Sequence, residues 1–495
     1  MPERGDTGLD PRRTLAFCRD LWNDSLLAEL SAFIEVPALS PAYDHDWEQR
    51  GLLDLTATDL ARWARSMPVE GLTAEVLRAP GRTPVVYIDV PGTGDGTALF
   101  YGHLDKQPGG EGWGEGLGPW KPVFDGTRLF GRGGADDGYA AYAMMAAVLA
   151  VDDQSAPRPR CIGVFETAEE SGSPDLDHWL TELAPRIGPV DLLMCLDSGA
   201  GDYDRLWLVT SLRGHCGGRL DVQVLDEAAH SGDAGGVVPS SFRVLRILLD
   251  RVEDSATGSL VPSSFSVPTP PDRRAQAVQA GAVLGQGIAD RFSWHGTTGP
   301  VTDDPVELLL NRAWRPSLSV TGAQGLPPID RAGNVLRSRT DVKLSLRLPP
   351  TVSSAAAVRD LQSLLEADPP YGTRVRFTPD TVLADGWNAG EMRPWLHDAL
   401  DRASRDHYDG AGLAMIGQGG TIPLMGILQR HYPGAHVLAC GVQGPGTNAH
   451  GPNESLHLPY THRLTASLAS VLPSVCEQAE PDATARSPLG TVSAP

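Results

Sequence analysis

Six polar side chains lie at the ends of apolar segments, or just beyond them, where a buried charge is costly unless it pairs or binds a metal. They are His103, Asp136, Glu169, Glu170, Asp197 and His450. Carboxylates mixed with imidazoles suit zinc, with manganese or cobalt as substitutes. Two such ions that share one carboxylate polarise a scissile carbonyl and lower the pKa of a bridging water. The set therefore predicts a two-metal hydrolase, with five of these side chains as ligands and one as a base.

The first candidate ligands lie in the segments ALFYGHLD (98–105) and GRGGADDG (131–138). His103 and Asp105 are two residues apart on a predicted strand, so both side chains project from the same face. The Asp105 carboxylate can therefore hold the second ring nitrogen of His103 and orient the imidazole. Asp136 follows a glycine-rich turn and opens a helix, where it can act as an N-cap, as a metal ligand, or as both.

The remaining candidates lie in the segments CIGVFETAEESGS (161–173), DLLMCLDSG (191–199) and GTNAHGPNE (446–454). Glu169 and Glu170 are adjacent carboxylates after a buried strand, and they repel each other unless a cation or a shared proton intervenes. One of them can bind metal while the other takes a proton from water. Asp197 ends an apolar run, where it can also cap the following loop. His450 belongs to neither a helical nor a strand pattern.

The elements around these residues alternate between strands and helices. Strands are predicted at 84–90, 98–104, 161–166 and 191–197, and helices at 25–36, 59–67 and 137–151. A further helix near 391–407 and a strand at 435–442 continue the pattern. This order predicts an α/β fold in which helices cover both faces of a sheet.

A second, smaller α/β unit is predicted between the two parts of this fold. Within residues 341–350, Val342, Leu344, Leu346 and Leu348 alternate with polar residues, as in a half-buried antiparallel strand. Helices are predicted nearby at 240–252 and 355–368. We therefore expect a catalytic domain at 14–212 and 385–478, interrupted by an inserted domain at 213–384. The polar segments 1–13 and 479–495 are predicted to be disordered tails.

Composition excludes several classes of protein. The chain has 495 residues, 41% of them apolar, and a net charge of −21, which argues against nucleic-acid and anionic-membrane partners. No stretch reaches about 18 apolar residues, so no membrane span is expected. The six cysteines form no CxxC pair and suit a reducing compartment. We therefore expect a cytoplasmic protein.

Over residues 25–475, these motifs in this order resemble the di-zinc metallopeptidase family that contains cytosolic nonspecific dipeptidase, carnosine dipeptidase, aminoacylase and glutamate carboxypeptidase. The resemblance implies two zinc ions per subunit and a zinc-peptidase-like mixed sheet with an inserted lid and dimerisation domain. It also implies that Glu169 is the general base and Asp105 the orienting carboxylate. The metal ligands that it implies are His103, Asp136 as the bridging carboxylate, Glu170, Asp197 and His450.

The dipeptidase branch of this family is the most similar, because SLRG (211–214), DEAAHSGDAGG (226–236) and GGTIP (419–423) also match. The match implies a homodimer in which His230 stabilises the oxyanion, commonly in the partner's site. It implies that Arg347 receives the substrate carboxylate, beside the turn at Gly420 and Thr421. From the residues alone, the better interpretation of His230 is a loop residue that caps its own turn, and Arg347 can equally be a surface arginine.

Two departures from the family pattern concern the substrate rather than the metals. The common DDKGP reads DDGYA at 136–140, and charged residues before GGS/TIP are replaced by Gly417 and Gln418. The expected function is hydrolysis of a small peptide, and a dipeptidase is the first hypothesis. The alternative enzyme is an N-acyl amino acid deacylase acting on a pathway intermediate. A non-catalytic metal-binding protein on the same fold is the third possibility.

Overall fold

The computed structural model describes residues 8–420 and 424–478. Numbered in chain order, its strands are β1 Thr73–Leu77, β2 Val85–Val90, β3 Thr97–His103, β4 Val123–Phe124, β5 Arg128–Phe130, β6 Arg160–Glu166, β7 Leu192–Cys195, β8 Trp207–Leu212, β9 Gly214–Gln223, β10 Ala229–His230, β11 Ser317–Gln324, β12 Val335–Leu336, β13 Arg339–Leu348, β14 Arg374–Pro379, β15 Trp387–Asn388, β16 Ala414–Gln418, β17 His436–Ala439 and β18 Ser455–His457.

The α-helices are α1 Pro11–Leu21, α2 Leu27–Glu35, α3 Trp47–Arg50, α4 Leu52–Arg65, α5 Tyr139–Asp152, α6 Leu176–Ile187, α7 Ser231–Ala234, α8 Ser241–Leu249, α9 Pro271–Leu284, α10 Gly287–Asp290, α11 Pro305–Ala313, α12 Ser354–Glu366, α13 Pro394–His407, α14 Leu424–His431 and α15 Leu458–Gln478. None of the described helices is both long enough and apolar enough to cross a lipid bilayer.

A mixed nine-stranded sheet forms the larger part of the described structure. Its strand order is β1-β2-β6-β3-β7-β17-β8-β15, with β16 paired to β8. The central strands β6, β3, β7 and β17 run parallel. The small-residue helix α5 is buried along nearly its whole length and contacts α15, β3 and β6. The predicted α/β fold is confirmed.

The second sheet is antiparallel and has four strands in the order β11-β13-β9-β14. Along β13, Val342, Leu344, Leu346 and Leu348 are buried in a core formed with α8 and α12, as their alternation predicts. The polar residues between them lie on the opposite face of the sheet. That face carries Arg347 toward the edge of the large sheet.

Two features differ from the predicted boundaries. Helices α9 and α11, within the range assigned to the inserted domain, contact β16 and contribute Ala280, Leu309 and Leu310 to the core of the large sheet. We therefore propose that the inserted unit comprises two separate stretches flanking residues 271–314. Helix α1 begins at Pro11, inside the predicted tail, because the Asp10 carboxylate caps the backbone N–H groups of Arg12 and Arg13. The predicted tail segments 1–7 and 479–495 lie outside the described residues.

Candidate active site

Three parallel strands bring most of the candidate ligands to one edge of the large sheet. His103 is the last residue of β3 and pairs in register with Glu166, the last residue of β6. Glu169 and Glu170 form the short turn that follows β6, and Asp197 follows β7 by two residues. The carboxyl ends of neighbouring parallel strands meet at one edge, so these side chains converge.

Asp136 reaches the same edge from the glycine-rich turn before α5. At Gly133 the backbone has a φ of +82°, and a Cβ there would lie 2.8 Å from Lys106 side-chain carbons. Glycine is therefore required for this close approach. The turn is held to the loop that carries His450, because the Glu454 carboxylate accepts hydrogen bonds from the Gly133 backbone N–H at 2.9 Å and from the Arg132 guanidinium.

The two carboxylate oxygens of Asp136 face different histidines. Oδ1 lies 3.2 Å from His103 Nε2, and Oδ2 lies 2.9 Å from His450 Nε2. The same nitrogen of His103 is 3.9 Å from Asp197, and that of His450 is 3.3 Å from Glu170. Asp136 thus stands between two half-sites, each with one further histidine and one further carboxylate. This is the arrangement that a bridging ligand requires.

Asp105 is fully buried and supports both sides of the cluster. Its backbone oxygen lies 3.1 Å from His103 Nδ1, and its carboxylate lies 3.5 Å from the same atom. The carboxylate also accepts hydrogen bonds from the backbone N–H groups of Glu169 and Glu170, each at 3.0 Å. Asp105 therefore holds His103 through its backbone oxygen, and its carboxylate fixes the Glu-Glu turn. The role of the carboxylate in orienting His103 stays a prediction.

The electrostatics of the cluster show an excess of buried negative charge. Burial raises the pKa of Asp197 to about 7, and burial together with the nearby Asp197 raises the pKa of Glu169 well above its usual value. Burial opposes ionisation of Asp136, but hydrogen bonds from His103 and His450 outweigh it and lower the pKa of that carboxyl. The cluster contains four carboxylates and only two imidazoles. Divalent cations would relieve the repulsion among these carboxylates.

The spacing of the donor atoms also fits metal ions. Ligand atoms of His103, Asp136 and Glu170 lie within 4.8 Å of one another, as do those of His103, Glu169 and Asp197. Imidazole nitrogens and carboxylate oxygens at this spacing suit zinc and related divalent ions. The cluster can therefore hold two metals that share Asp136.

Two glutamines, which the sequence analysis does not identify, hold candidate ligands in place. The Gln107 side-chain amide donates to the second oxygen of Glu170 at 2.6 Å, and that of Gln443 donates to Asp197 at 3.1 Å. Such hydrogen bonds orient a ligand and tune its basicity. The signal for Gln107 is its place two residues beyond Asp105, but Gln443 lies in a loop with no pattern.

A cleft of about 540 Å³ opens over the cluster. On the side of the large sheet it is lined by Asp136, Glu169, Glu170, Asp197 and His450. Arg347 joins the lining from the small sheet, and Gly420 joins it from the segment after β16 of the large sheet. The structure thus places these two predicted substrate-binding residues in the same cleft as the metal cluster. Thr421, predicted beside them, lies outside the described residues.

His230 does not line this cleft. It forms a two-residue pairing between β10 and β12, its side chain is 69% exposed, and its Nδ1 accepts a hydrogen bond from the Gly232 backbone N–H at 3.2 Å. Within one chain, His230 therefore caps its own turn. A role of His230 in catalysis requires a different neighbour from those seen in a single subunit.

Comparison with known proteins agrees with this geometry. Residues 99–474 match the model of peptidase family M20/M25/M40. The chain belongs to this family. Among curated family relatives, it is 25% identical to a cysteinylglycine-S-conjugate dipeptidase of Corynebacterium striatum, over 81% of this chain and 86% of the relative. It is 27% identical to the mouse β-Ala-His dipeptidase, over 67% of this chain and 68% of the relative.

Solved structures of the M20 type share the fold. The dipeptidase Dug1p of Saccharomyces cerevisiae superposes with a TM-score of 0.73 at 21% identity, covering 96% of this chain and all of the other. Human carnosine dipeptidase 1 gives a TM-score of 0.72 at 21% identity, covering 94% of this chain and 99% of the other. The predicted family, its hydrolase class and the likeness to the dipeptidase branch are confirmed.

Proposed function

We propose that this M20 peptidase is a two-zinc enzyme that hydrolyses the amide bond of a small substrate with a free carboxylate, a dipeptide in the first instance. The observation that carries the proposal is the cleft itself, whose lining contains both the carboxylate–imidazole cluster and Arg347 of the small sheet. Curated relatives named as dipeptidases support the same substrate class.

In this proposal His103 and Asp197 would hold one metal, His450 and Glu170 would hold the other, and Asp136 would be shared by both. When bound, the two ions would polarise the scissile carbonyl and acidify a water. Zinc is the proposed ion, with manganese or cobalt as possible substitutes.

Glu169 is the proposed general base. Both glutamates line the cleft, but Glu170 contacts His450 and Gln107, whereas Glu169 lies beside Asp197 and His103. A carboxylate in that position can take a proton from the attacking water and return it to the leaving amine.

Arg347 is the proposed receptor for the substrate carboxylate, because a guanidinium can donate two parallel hydrogen bonds to it. Gly420 lines the same cleft, and a Cβ at that position would meet nothing within 4 Å. Gly420 therefore leaves room for the carboxylate end of a substrate. Thr421 keeps its proposed role as a second contact on the basis of the sequence alone.

We further propose a homodimer in which His230 enters the partner's cleft and stabilises the oxyanion. The exposure of His230 and its absence from its own cleft support this arrangement. All six cysteines are free thiols, and five of them are buried, which supports a cytoplasmic setting.

One observation favours the N-acyl amino acid deacylase as a second candidate. Apart from the metal-type carboxylates, the described lining of the cleft contains no acidic residue, and Gln418 lies where a charged residue is common in the branch. A free α-amino group therefore has no carboxylate partner of its own there. A substrate whose amino group is acylated needs no such carboxylate partner.

A substrate panel tests the proposal. The purified chain, stripped with chelator and reloaded with Zn²⁺, Mn²⁺ or Co²⁺, is assayed on dipeptides, their N-acetyl forms and their C-terminal amides. We expect metal-dependent cleavage of several dipeptides and poor cleavage of the amides. Turnover restricted to N-acyl substrates would select the deacylase. No turnover with two metals bound would leave a non-catalytic protein.

A further inference from the structure

A second side chain of the small sheet faces the cleft beside Arg347. His215 lies in β9 directly opposite Arg347 in β13, so the two Cβ atoms are about 5 Å apart. Both side chains line the same cleft. The imidazole Nε2 of His215 lies 3.1 Å from the Ser345 hydroxyl, which sets its orientation.

The surroundings of His215 are positively charged. Arg347 and Lys343 face it from β13, and Asp380, just beyond β14, is paired with Lys343. Arg213, two residues before His215, donates to the backbone oxygens of Asn311 and Arg315 and to the Ser317 hydroxyl. Within the described part of the chain, no carboxylate forms an ion pair with Arg213.

Apart from Arg347, the described lining outside the candidate metal cluster carries no formal charge. It includes Leu212, Val382, Ala384, Gln418 and Gly420. The acidic residues of the described lining all belong to the candidate metal cluster. A negatively charged substrate group beside His215 would lie near the charges of Arg347 and Lys343, and the nearby Asp380 carboxylate is paired with Lys343.

The protonation of His215 depends on what occupies the cleft. Burial, followed by the charge of Arg347, lowers the pKa of His215 and so favours the neutral form of the ring. A carboxylate brought against the ring would favour its protonated form. Binding of such a group should then be accompanied by proton uptake.

We propose that His215 and Arg347 together form a subsite for two neighbouring negative charges, so that the cleft prefers substrates whose C-terminal residue has an acidic side chain. The inference rests on the proposed function, because Arg347 takes the main-chain carboxylate there. His215 is then the residue that determines specificity for the adjacent side chain.

The test compares two substrates of nearly equal shape, alanylglutamate and alanylglutamine. At pH 6.5 we expect kcat/KM to be about tenfold or more higher for alanylglutamate, as for one charge-assisted hydrogen bond. The preference should fall as pH rises toward 8, because more of the protonation of His215 must then occur at the moment of binding. Effects on the metal site cancel in this ratio.

His215→Phe should bring the ratio close to one and remove its pH dependence. His397→Phe, at an exposed position on α13, is the matched control and should change neither. A His215→Phe variant that keeps the full preference would overturn the inference. If the variant fails to fold, the wild type provides the test. A ratio of kcat/KM for alanylglutamate to alanylglutamine that does not change between pH 6 and 8 would also overturn the inference.

A binding measurement separates this inference from the proposed function. Calorimetric titration of the metal-loaded protein with free glutamate and glutamine, in buffers of different ionisation enthalpy, reports affinity and proton uptake without turnover. Tighter binding of glutamate with proton uptake supports the subsite even if neither dipeptide is cleaved. Cleavage of both dipeptides with no preference for alanylglutamate would contradict the proposed subsite but would agree with the proposed dipeptidase activity.

Discussion

The two walls of the cleft are built in different ways. On the wall formed by the large sheet, His103 and Asp105 are fully buried, and the cluster closes to contacts between 2.9 and 3.9 Å. On the wall formed by the small sheet, Arg347 and His215 are half-buried, and His230 stands outside altogether. One subunit therefore assembles the carboxylates and imidazoles of the candidate metal cluster, whereas Arg347 and His215 reach the cleft from the small sheet.

The physical difference is the cost of burial. A carboxylate or imidazole inside an apolar strand end is unstable without partners, so its type and position already imply a cluster. An exposed histidine or arginine costs little wherever it lies. Substitutions on the large-sheet wall should consequently abolish most of the activity. Substitutions on the small-sheet wall should reduce the activity only partly.

The largest effect should come from the proposed base on the large-sheet wall. Glu169→Gln keeps the shape of the side chain but removes proton transfer, so kcat should fall about a thousandfold. Metal content, measured by elemental analysis, should stay at the wild-type level. Glu170→Gln is the matched control and should lose metal as well as activity. Loss of metal in Glu169→Gln would show that it is a ligand.

The next effect concerns His230 and tests whether the small-sheet wall is completed by a partner. His230→Ala should lower kcat about a hundredfold, as for one missing oxyanion donor. Mixing this variant with Glu169→Gln under conditions of subunit exchange should restore about a quarter of wild-type activity, because about half of the dimers are mixed and each has one intact site.

Two results would contradict the shared site. Mixing that recovers nothing, with exchange confirmed independently, would mean that His230 serves its own subunit. A monomer by light scattering at assay concentration would exclude the dimer itself. Either result would mean that a single chain forms both walls of the cleft.

The smallest of the three effects concerns Arg347. Arg347→Leu should lower kcat/KM for a dipeptide by roughly tenfold to a hundredfold, since a charged hydrogen-bond pair is lost. A C-terminal amide should harm the wild type severely and the variant hardly further, because both changes remove one contact. Fully additive losses, measured as kcat/KM for all four combinations, would place the action of Arg347 elsewhere.

The fold was predictable where local pattern and burial agree. The alternation of Val342, Leu344 and Leu346 predicts β13, and the apolar runs before His103 and Asp197 predict β3 and β7. The placement of α9 and α11 was not predictable, because an amphipathic helix fits either core and only the tertiary packing selects β16.

By itself the sequence determined the fold class, the family and a candidate ligand set, because a polar residue in an apolar strand end has few physical explanations. The tertiary structure alone decided which atoms meet. It set the two oxygens of Asp136 against different histidines, brought Gln107, Gln443 and Glu454 to support the ligands and their loops, and placed His215 opposite Arg347. These contacts join residues far apart in the chain or depend on strand register, and no local pattern specifies such distances.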